Sequence, residues 1–271
     1  MIERLIRIWG NGPQKFSAFM GHFAEKRIPK WILKPVLKAY ISYYHIDMNL
    51  FKRGVEEYMS FTDFFTRRLK DGVRTFEGLL ISPAESILTD FGLVSSNMEV
   101  KVKGMGCKLA LFLRKIVTIN FKSFAIFYLS PADYHRFHAP FDMEIEKLIY
   151  IPGDLYSVKP KNVEKYNTLF CDNRKVVIYG SSDYGKFAMV LVGALVVGKI
   201  VLNFGKKRGT KLFEEEIVNL RFDKGDELGA FELGSTVILL TESDVLSVLT
   251  VEKGEHVLVG QDLYQFEAKL V

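Results

Sequence analysis

The chain has 271 residues, 48% of them hydrophobic, and 37 Lys+Arg against 32 Asp+Glu give a net charge of +5. This length and apolar share exclude a disordered chain and suit one substantial domain with an appendage or two small domains, while so modest a charge gives no ground for a nucleic-acid partner. Cys107 and Cys171 lie far apart without CxxC spacing, so neither a disulfide framework nor a zinc knuckle is expected, and a reducing compartment is the simpler setting.

Residues 1–40 hold eight Lys/Arg against two Glu, an excess larger than that of the whole chain. Glu3, Arg4 and Arg7 interrupt Met1–Trp9, so a cleaved secretory signal is not expected. Three short pieces have apolar residues at helical spacing: Ile2, Leu5, Ile6 and Trp9; Phe16, Phe19, Met20 and Phe23; Leu33, Val36, Leu37 and Tyr40. Gly10 to Pro13 and Pro29 separate them. In the third piece Lys30, Lys34 and Lys38 form a cationic stripe beside the apolar face. Such helices suit an anionic membrane surface, and equally suit packing on their own domain with the lysines in water. Phe51 to Lys70, rich in aromatic residues, is expected to be a helical connection. Together these make residues 1–70 a helical, basic region for which membrane association is one of the two readings.

From about Ile81 the texture turns to short β-rich runs bounded by Gly, Pro, Asn and Asp. Strands are predicted at Lys115–Ile119, Phe124–Leu129, Lys175–Tyr179, Phe187–Val192, Val196–Leu202, Thr236–Leu240 and His256–Val259. The longest apolar run, Phe187 to Gly198, is too short to span a bilayer. Lys224-Gly225-Asp226 and Lys253-Gly254-Glu255 each precede a strand, which suggests two related turn-strand units in a compact sandwich or barrel. The predicted class is α+β, with a β-rich body over residues 71–271.

Walker, GxGxxG and HExxH motifs are absent, so chemistry has to come from histidines, a serine and carboxylates. His135 and His138 lie between Pro131 and Pro140, where a long helix is excluded; on a straight strand residues three apart face opposite ways, so one shared site needs a bend. Gly234-Ser235-Thr236 is a common turn leading into a strand. The same glycine also permits a strained backbone on which the Ser235 hydroxyl meets the preceding carbonyl. Attack there gives an ester; β-elimination and loss of ammonia then leave a pyruvoyl group on the new N-terminus, provided a base, usually a histidine oriented by a carboxylate, activates the hydroxyl.

Over most of its length the chain resembles the phosphatidylserine decarboxylase family. The matching pieces run in order from FFTRRLKDGVR at Phe64–Arg74 through SPAES at Ser82–Ser86, KGMGCKL at Lys103–Leu109 and LSPADYHRFHAP at Leu129–Pro140. They continue through PGDLYSVKP at Pro152–Pro160, NTLFCDNRKV at Asn167–Val176 and LVGALVVGKI at Leu191–Ile200 to KGDELGAFELGSTVI at Lys224–Ile238. The resemblance implies self-cleavage between Gly234 and Ser235 into a β subunit of residues 1–234 and an α subunit of 235–271, with a covalent pyruvoyl cofactor formed from Ser235. His138 matches the family's base for self-cleavage and His135 the histidine of the decarboxylation step. The family's aspartate in the PADG segment is Glu85 here, followed by Ser86 in place of glycine, so this carboxylate is displaced by a methylene and an altered turn.

The implied reaction turns phosphatidylserine into phosphatidylethanolamine and CO2 through a Schiff base, without metal, nicotinamide or pyridoxal. Implied partners are the lipid substrate, an anionic membrane surface and the two subunits of one processed chain, with a homodimer as a further assembly; the implied setting is peripheral, on the cytoplasmic face of the membrane in a bacterium. Arg136 and Arg174 lie in matched segments and are either contacts for the lipid phosphate or structural partners of Asp133 and Asp172. Two other readings stay open: an unprocessed, non-enzymatic membrane-binding relative, and a pyruvoyl decarboxylase of a soluble amino acid.

Overall fold

In the computed structural model, residues 26–95, 99–102, 105–108, 113, 119–153, 172–193, 199–205, 214–232 and 235–264 are described, with backbone only for 99–102 and 105–108. The first two amphipathic pieces, nearly all of the predicted strand at 115–119 and Gly234 lie outside these residues.

The third amphipathic piece is helix α1 (Lys30–Tyr44), which buries Leu33 and Leu37 against Tyr58 and Phe64. Its lysine stripe faces an acid: Lys30 Nζ donates to the Glu56 carbonyl at 3.1 Å and Lys34 pairs with the Glu56 carboxylate. The outward side is apolar, with Trp31 77% and Tyr43 76% exposed and Val36 and Ile32 also on the surface.

Residues 51–70 do not form the expected helical connection. They contain a 3₁₀ turn at Val55–Glu57 and the five-residue helix α2 (Phe61–Phe65), and Phe51 and Leu69 bridge as antiparallel neighbours. Gly54 and Ser60 divide the segment: Ser60 caps α2 by accepting from the Asp63 N–H at 3.1 Å. The aromatic spacing that imitates a long helix instead serves separate short packings, in which Phe64 and Phe65 are buried.

The body is a sandwich. One layer is an eight-stranded antiparallel sheet of β1 (Ser86–Leu93), β4 (Ser123–Leu129), β6 (Met143–Ile151), β7 (Lys175–Ser182), β8 (Gly185–Gly193), β10 (Glu214–Phe222), β12 (Ser235–Thr241) and β13 (His256–Val257). Its order is β10-β6-β7-β8-β12-β4-β1-β13. The second layer is β5 (Arg136–His138), β11 (Glu227–Phe231) and β9 (Ile200–Leu202), in the order β5-β11-β9; β2 (Glu99–Val102) and β3 (Met105–Lys108) form a separate hairpin. The central strands β4 and β12 are buried at every position, which is why their sequences are unbroken apolar runs and not alternating ones. Alternate residues feed two cores. Phe127, Leu129, Val237, Leu239, Leu191 and Val176 meet Phe137, Phe231 and Leu202 of the smaller sheet; Ile126, Ile238, Val190 and Val177 fill the opposite face.

The strands predicted at 124–129, 175–179, 187–192 and 236–240 lie within β4, β7, β8 and β12. That predicted at 196–202 is described only as β9, and that at 256–259 shortens to β13. The two Lys-Gly-acid units adopt one turn: Gly225 and Gly254 have φ of +90° and +92°, and Asp226 and Glu255 accept from the N–H three residues back at 2.9 and 3.1 Å.

Candidate active site

Ser235 opens β12 at one end of the large sheet, flanked by Leu129 of β4 and Gly193 of β8. It is fully buried, and among the described residues its Oγ has no hydrogen-bond partner. A hydroxyl held this way costs about 1–3 kcal/mol and calls for a reason.

The loop leaving β4 passes beside it. The Ser130 N–H donates to Asp133 Oδ2 at 2.6 Å and the Asp133 N–H returns a bond to the Ser130 carbonyl at 3.0 Å. The helical region grips the same loop: Tyr40 Oη donates to the Pro131 carbonyl at 2.7 Å, and Arg67 Nη2 donates to the carbonyls of Ala132 and Asp133 at 2.6 and 3.0 Å. Arg67 is buried between the rings of Phe51 and Phe64. It is a cation inside an aromatic run, and sequence reading missed it.

His135 ends this loop. Its Nδ1 lies 2.8 Å from the Asp133 carbonyl, an acceptor only, so Nδ1 carries the hydrogen and Nε2 presents a lone pair. Nε2 is buried without a partner, as Ser235 Oγ is. The Phe231 N–H donates to the His135 carbonyl at 2.8 Å, tying this histidine to the strand that leads into Ser235. Burial pushes its pKa down from 6.5 to about 4, so the ring is neutral at neutral pH.

His138 is oriented by the same device. Nδ1 donates to the Gly225 carbonyl at 2.8 Å, Nε2 accepts from Tyr134 Oη at 3.2 Å, and Phe76 stacks on the ring. Gly225 is required here, since a Cβ would stand 2.8 Å from Phe76 carbons. Burial lowers this pKa as well. His138 pairs with Glu227, farther from Ser235 along β11 than Phe231, so the ladder puts His135 on the serine's side. Between the two histidines the loop enters β5, and the rings have separate neighbours: His135 packs on Phe65 and His138 on Phe76.

Glu85 does not orient His138 in this structure, because both ring nitrogens are engaged elsewhere. Its two oxygens accept from Arg74 Nη2 at 3.1 and 3.2 Å; an ionised carboxylate gains more from a guanidinium than from a neutral imidazole. Burial raises the Glu85 pKa, opposed by Arg74. The carboxylate–histidine couple that does form is Asp133–His256, with Nε2 to Oδ1 at 2.9 Å. Its members lie 123 residues apart, and nothing in either segment announces the pairing. Arg136 pairs with Glu227 at 2.7 Å and donates to the Thr66 carbonyl at 2.9 Å, not with Asp133. Arg174 makes no ion pair with Asp172. A groove of about 630 Å3 between residues 73–78 and 258–262 includes Arg74 but neither Ser235 nor the two histidines.

Two consequences can be measured. Arg74→Gln leaves the Glu85 carboxylate buried without its cation, and unfolding free energy at pH 7 should fall by about 3 kcal/mol in urea titrations; a loss below about 1 kcal/mol contradicts the pairing. His135 acts on acid stability. The fold holds it neutral, so it is without effect above pH 6.5 and opposes folding as pH falls toward about 4, a swing of about 3 kcal/mol. His256 runs the other way: Asp133 raises its pKa, so its stabilisation is present below 6.5 and fades as pH rises through the raised value. The urea midpoint of the parent should therefore drop more steeply than that of His135→Gln between pH 6.5 and 4, and parallel curves exclude the buried neutral ring.

A sequence profile of the phosphatidylserine decarboxylase family matches residues 61–265. The chain is 36% identical over 248 residues to the phosphatidylserine decarboxylase proenzyme of Francisella tularensis subsp. novicida (strain U112), covering 86% of this chain and 88% of that one. It is 35% identical over 259 residues to the proenzyme of the same name from Francisella philomiragia subsp. philomiragia, covering 91% and 92%.

Proposed function

The chain belongs to the phosphatidylserine decarboxylase family, and from that premise we propose that it is a self-processing decarboxylase that converts phosphatidylserine to phosphatidylethanolamine and CO2. The observation that carries this reading is the pair of buried, unpartnered polar atoms at one end of the sandwich, Ser235 Oγ and His135 Nε2.

In the processing step, Ser235 Oγ gives up its proton and attacks the Gly234 carbonyl carbon; the C–N bond breaks as the C–O bond forms, leaving an ester and a free amine on residue 235. Removal of the Cα hydrogen then expels the Gly234 carboxylate, and water releases ammonia. Following the family resemblance, His138 is the base, and its use requires Nε2 to exchange the Tyr134 hydroxyl for the serine. The replacement of aspartate by Glu85 does not remove the orientation of either imidazole, because carbonyls of Asp133 and Gly225 supply it. This favours a working enzyme over an unprocessed relative.

The two unpartnered polar atoms fit a pyruvoyl group derived from Ser235, which supplies an electron-accepting ketone where the substrate amine arrives. The chain's own residues do the rest. Buried walls from Leu129, Phe137 and Phe231 exclude water, and His135 Nε2, a lone pair aimed by the Asp133 carbonyl, takes up the proton that the substrate ammonium gives up and returns it to the carbon that has lost CO2. Among the described residues no helix is long and apolar enough to cross a membrane. The exposed Trp31, Ile32, Val36 and Tyr43 of α1, which also carries Lys30, Lys34 and Lys38, instead support docking from one side.

The test is release of CO2 from vesicles of phosphatidylserine compared with free L-serine. Turnover of the lipid and not of the amino acid is expected; turnover of L-serine alone moves the assignment to a soluble substrate, and turnover of neither removes the enzyme.

A further inference from the structure

We propose that Arg174 is the phosphodiester-binding residue of this site, reaching across Gly193 to the head-group phosphate of a substrate held at Ser235. The proposal deepens the decarboxylase reading and rests on it for the identity of the ligand.

The register places three residues in one row on adjacent strands. Ser235 of β12 stands opposite Gly193 of β8, and the Gly193 N–H donates to the Arg174 carbonyl at 2.9 Å, one step beyond the Lys175–Val192 pair. Val237, Leu191 and Val176, each two residues along from this row, share one buried core. By the two-residue period of a strand, Ser235 and Arg174 therefore emerge on that same face. Between them the sheet carries only a glycine.

Two strand spacings separate the Cα atoms of Ser235 and Arg174 by about 10 Å. In a phosphatidylserine head group the phosphorus is four bonds from the amine, about 5 Å, and the carboxylate carbon only two. An amine brought to position 235 thus leaves its carboxylate near the serine and carries its phosphate over Gly193, within reach of an arginine from the third strand.

The arginine is held for such a role. The fully buried Asn173 donates from Nδ2 to the Gly193 carbonyl at 3.0 Å. Gly153 packs so close that a Cβ there would stand 2.2 Å from the Asp172 carbonyl oxygen and 2.7 Å from the Arg174 nitrogen. Among the described residues Arg174 makes no ion pair, and its Nε is buried without a hydrogen-bond partner. Arg136, the other arginine in a matched segment, is paired with Glu227 and bonded to the Thr66 carbonyl. A guanidinium cannot shed its charge and matches the oxygens of a phosphate in pairs.

The experiment uses the intact Ser235→Ala chain, so that binding is measured without any processing chemistry. Its ligands are glycerophospho-L-serine, glycerophosphoethanolamine and L-serine, titrated by NMR or calorimetry. Adding Arg174→Gln should weaken both phosphodiesters by about tenfold or more and leave L-serine unchanged, while Arg174→Lys retains part of the affinity and an unchanged thermal midpoint reports an intact fold. The proposal is overturned if Arg174→Gln leaves the phosphodiesters unaffected, if neither binds the parent, or if it weakens L-serine and glycerophosphoserine equally while sparing glycerophosphoethanolamine, which makes Arg174 a carboxylate contact. Absence of fragments from the unmutated chain would instead strike the decarboxylase reading, and this binding test does not depend on it.

Discussion

Ser235→Ala is expected to give one unbroken chain of 31.0 kDa whose decarboxylase activity falls to the uncatalysed rate, a loss of at least about 10⁶-fold. The same substitution should not destabilise the protein. Most changes at a fully buried position lose stability, but here the atom removed is a hydroxyl with no partner, and deleting it relieves a penalty of about 1–3 kcal/mol. A thermal midpoint equal to or above that of an unprocessed parent, together with complete loss of activity, identifies a position kept for chemistry at the expense of the fold. Activity that survives the change refutes the assignment. A large loss of stability would mean that the serine makes an undetected structural bond.

His135→Gln is expected to lower decarboxylation by about 10²–10⁴-fold. The ring is fully buried, its tautomer is fixed by the Asp133 carbonyl, and its backbone sits at the Ser235 end of the β5–β11 ladder. Glutamine keeps much of the volume and can still donate to that carbonyl, so the fold is expected to persist while the proton-transferring nitrogen is lost. With His138 as the proposed base in processing, His135→Gln should still yield the two fragments, whereas His138→Gln should slow their appearance. If His135→Gln blocks cleavage and His138→Gln does not, the roles are exchanged, an outcome consistent with the Tyr134 hydroxyl already occupying His138 Nε2. Full decarboxylase activity in His135→Gln contradicts the role altogether.

The large sheet was legible wherever a strand is buried on both faces. Runs such as Phe124–Leu129 and Thr236–Leu240 are apolar because no side of them meets water. The aromatic segment 51–70 misled because Phe61, Phe64 and Phe65 follow helical spacing within a helix of only five residues, while Gly54 and Ser60 break the rest. The motifs made Ser235, His135 and His138 legible as candidates. Their local partners were not, since a backbone carbonyl leaves no mark in a sequence and the carboxylate chosen for His138 had a nearer cation in Arg74. The Asp133–His256 pair joins a loop after β4 to an edge strand, a contact that only the closing of the sheet creates. The two arginines of the matched segments are alike in sequence, and only their surroundings separate Arg136, paired with Glu227, from Arg174, which makes no ion pair among the described residues.

Mass spectrometry of the purified, unmutated protein should show two fragments, residues 1–234 and the 37 residues 235–271, with the smaller bearing a ketone in place of its terminal amine. A single uncut chain that still decarboxylates phosphatidylserine would contradict self-processing at Ser235.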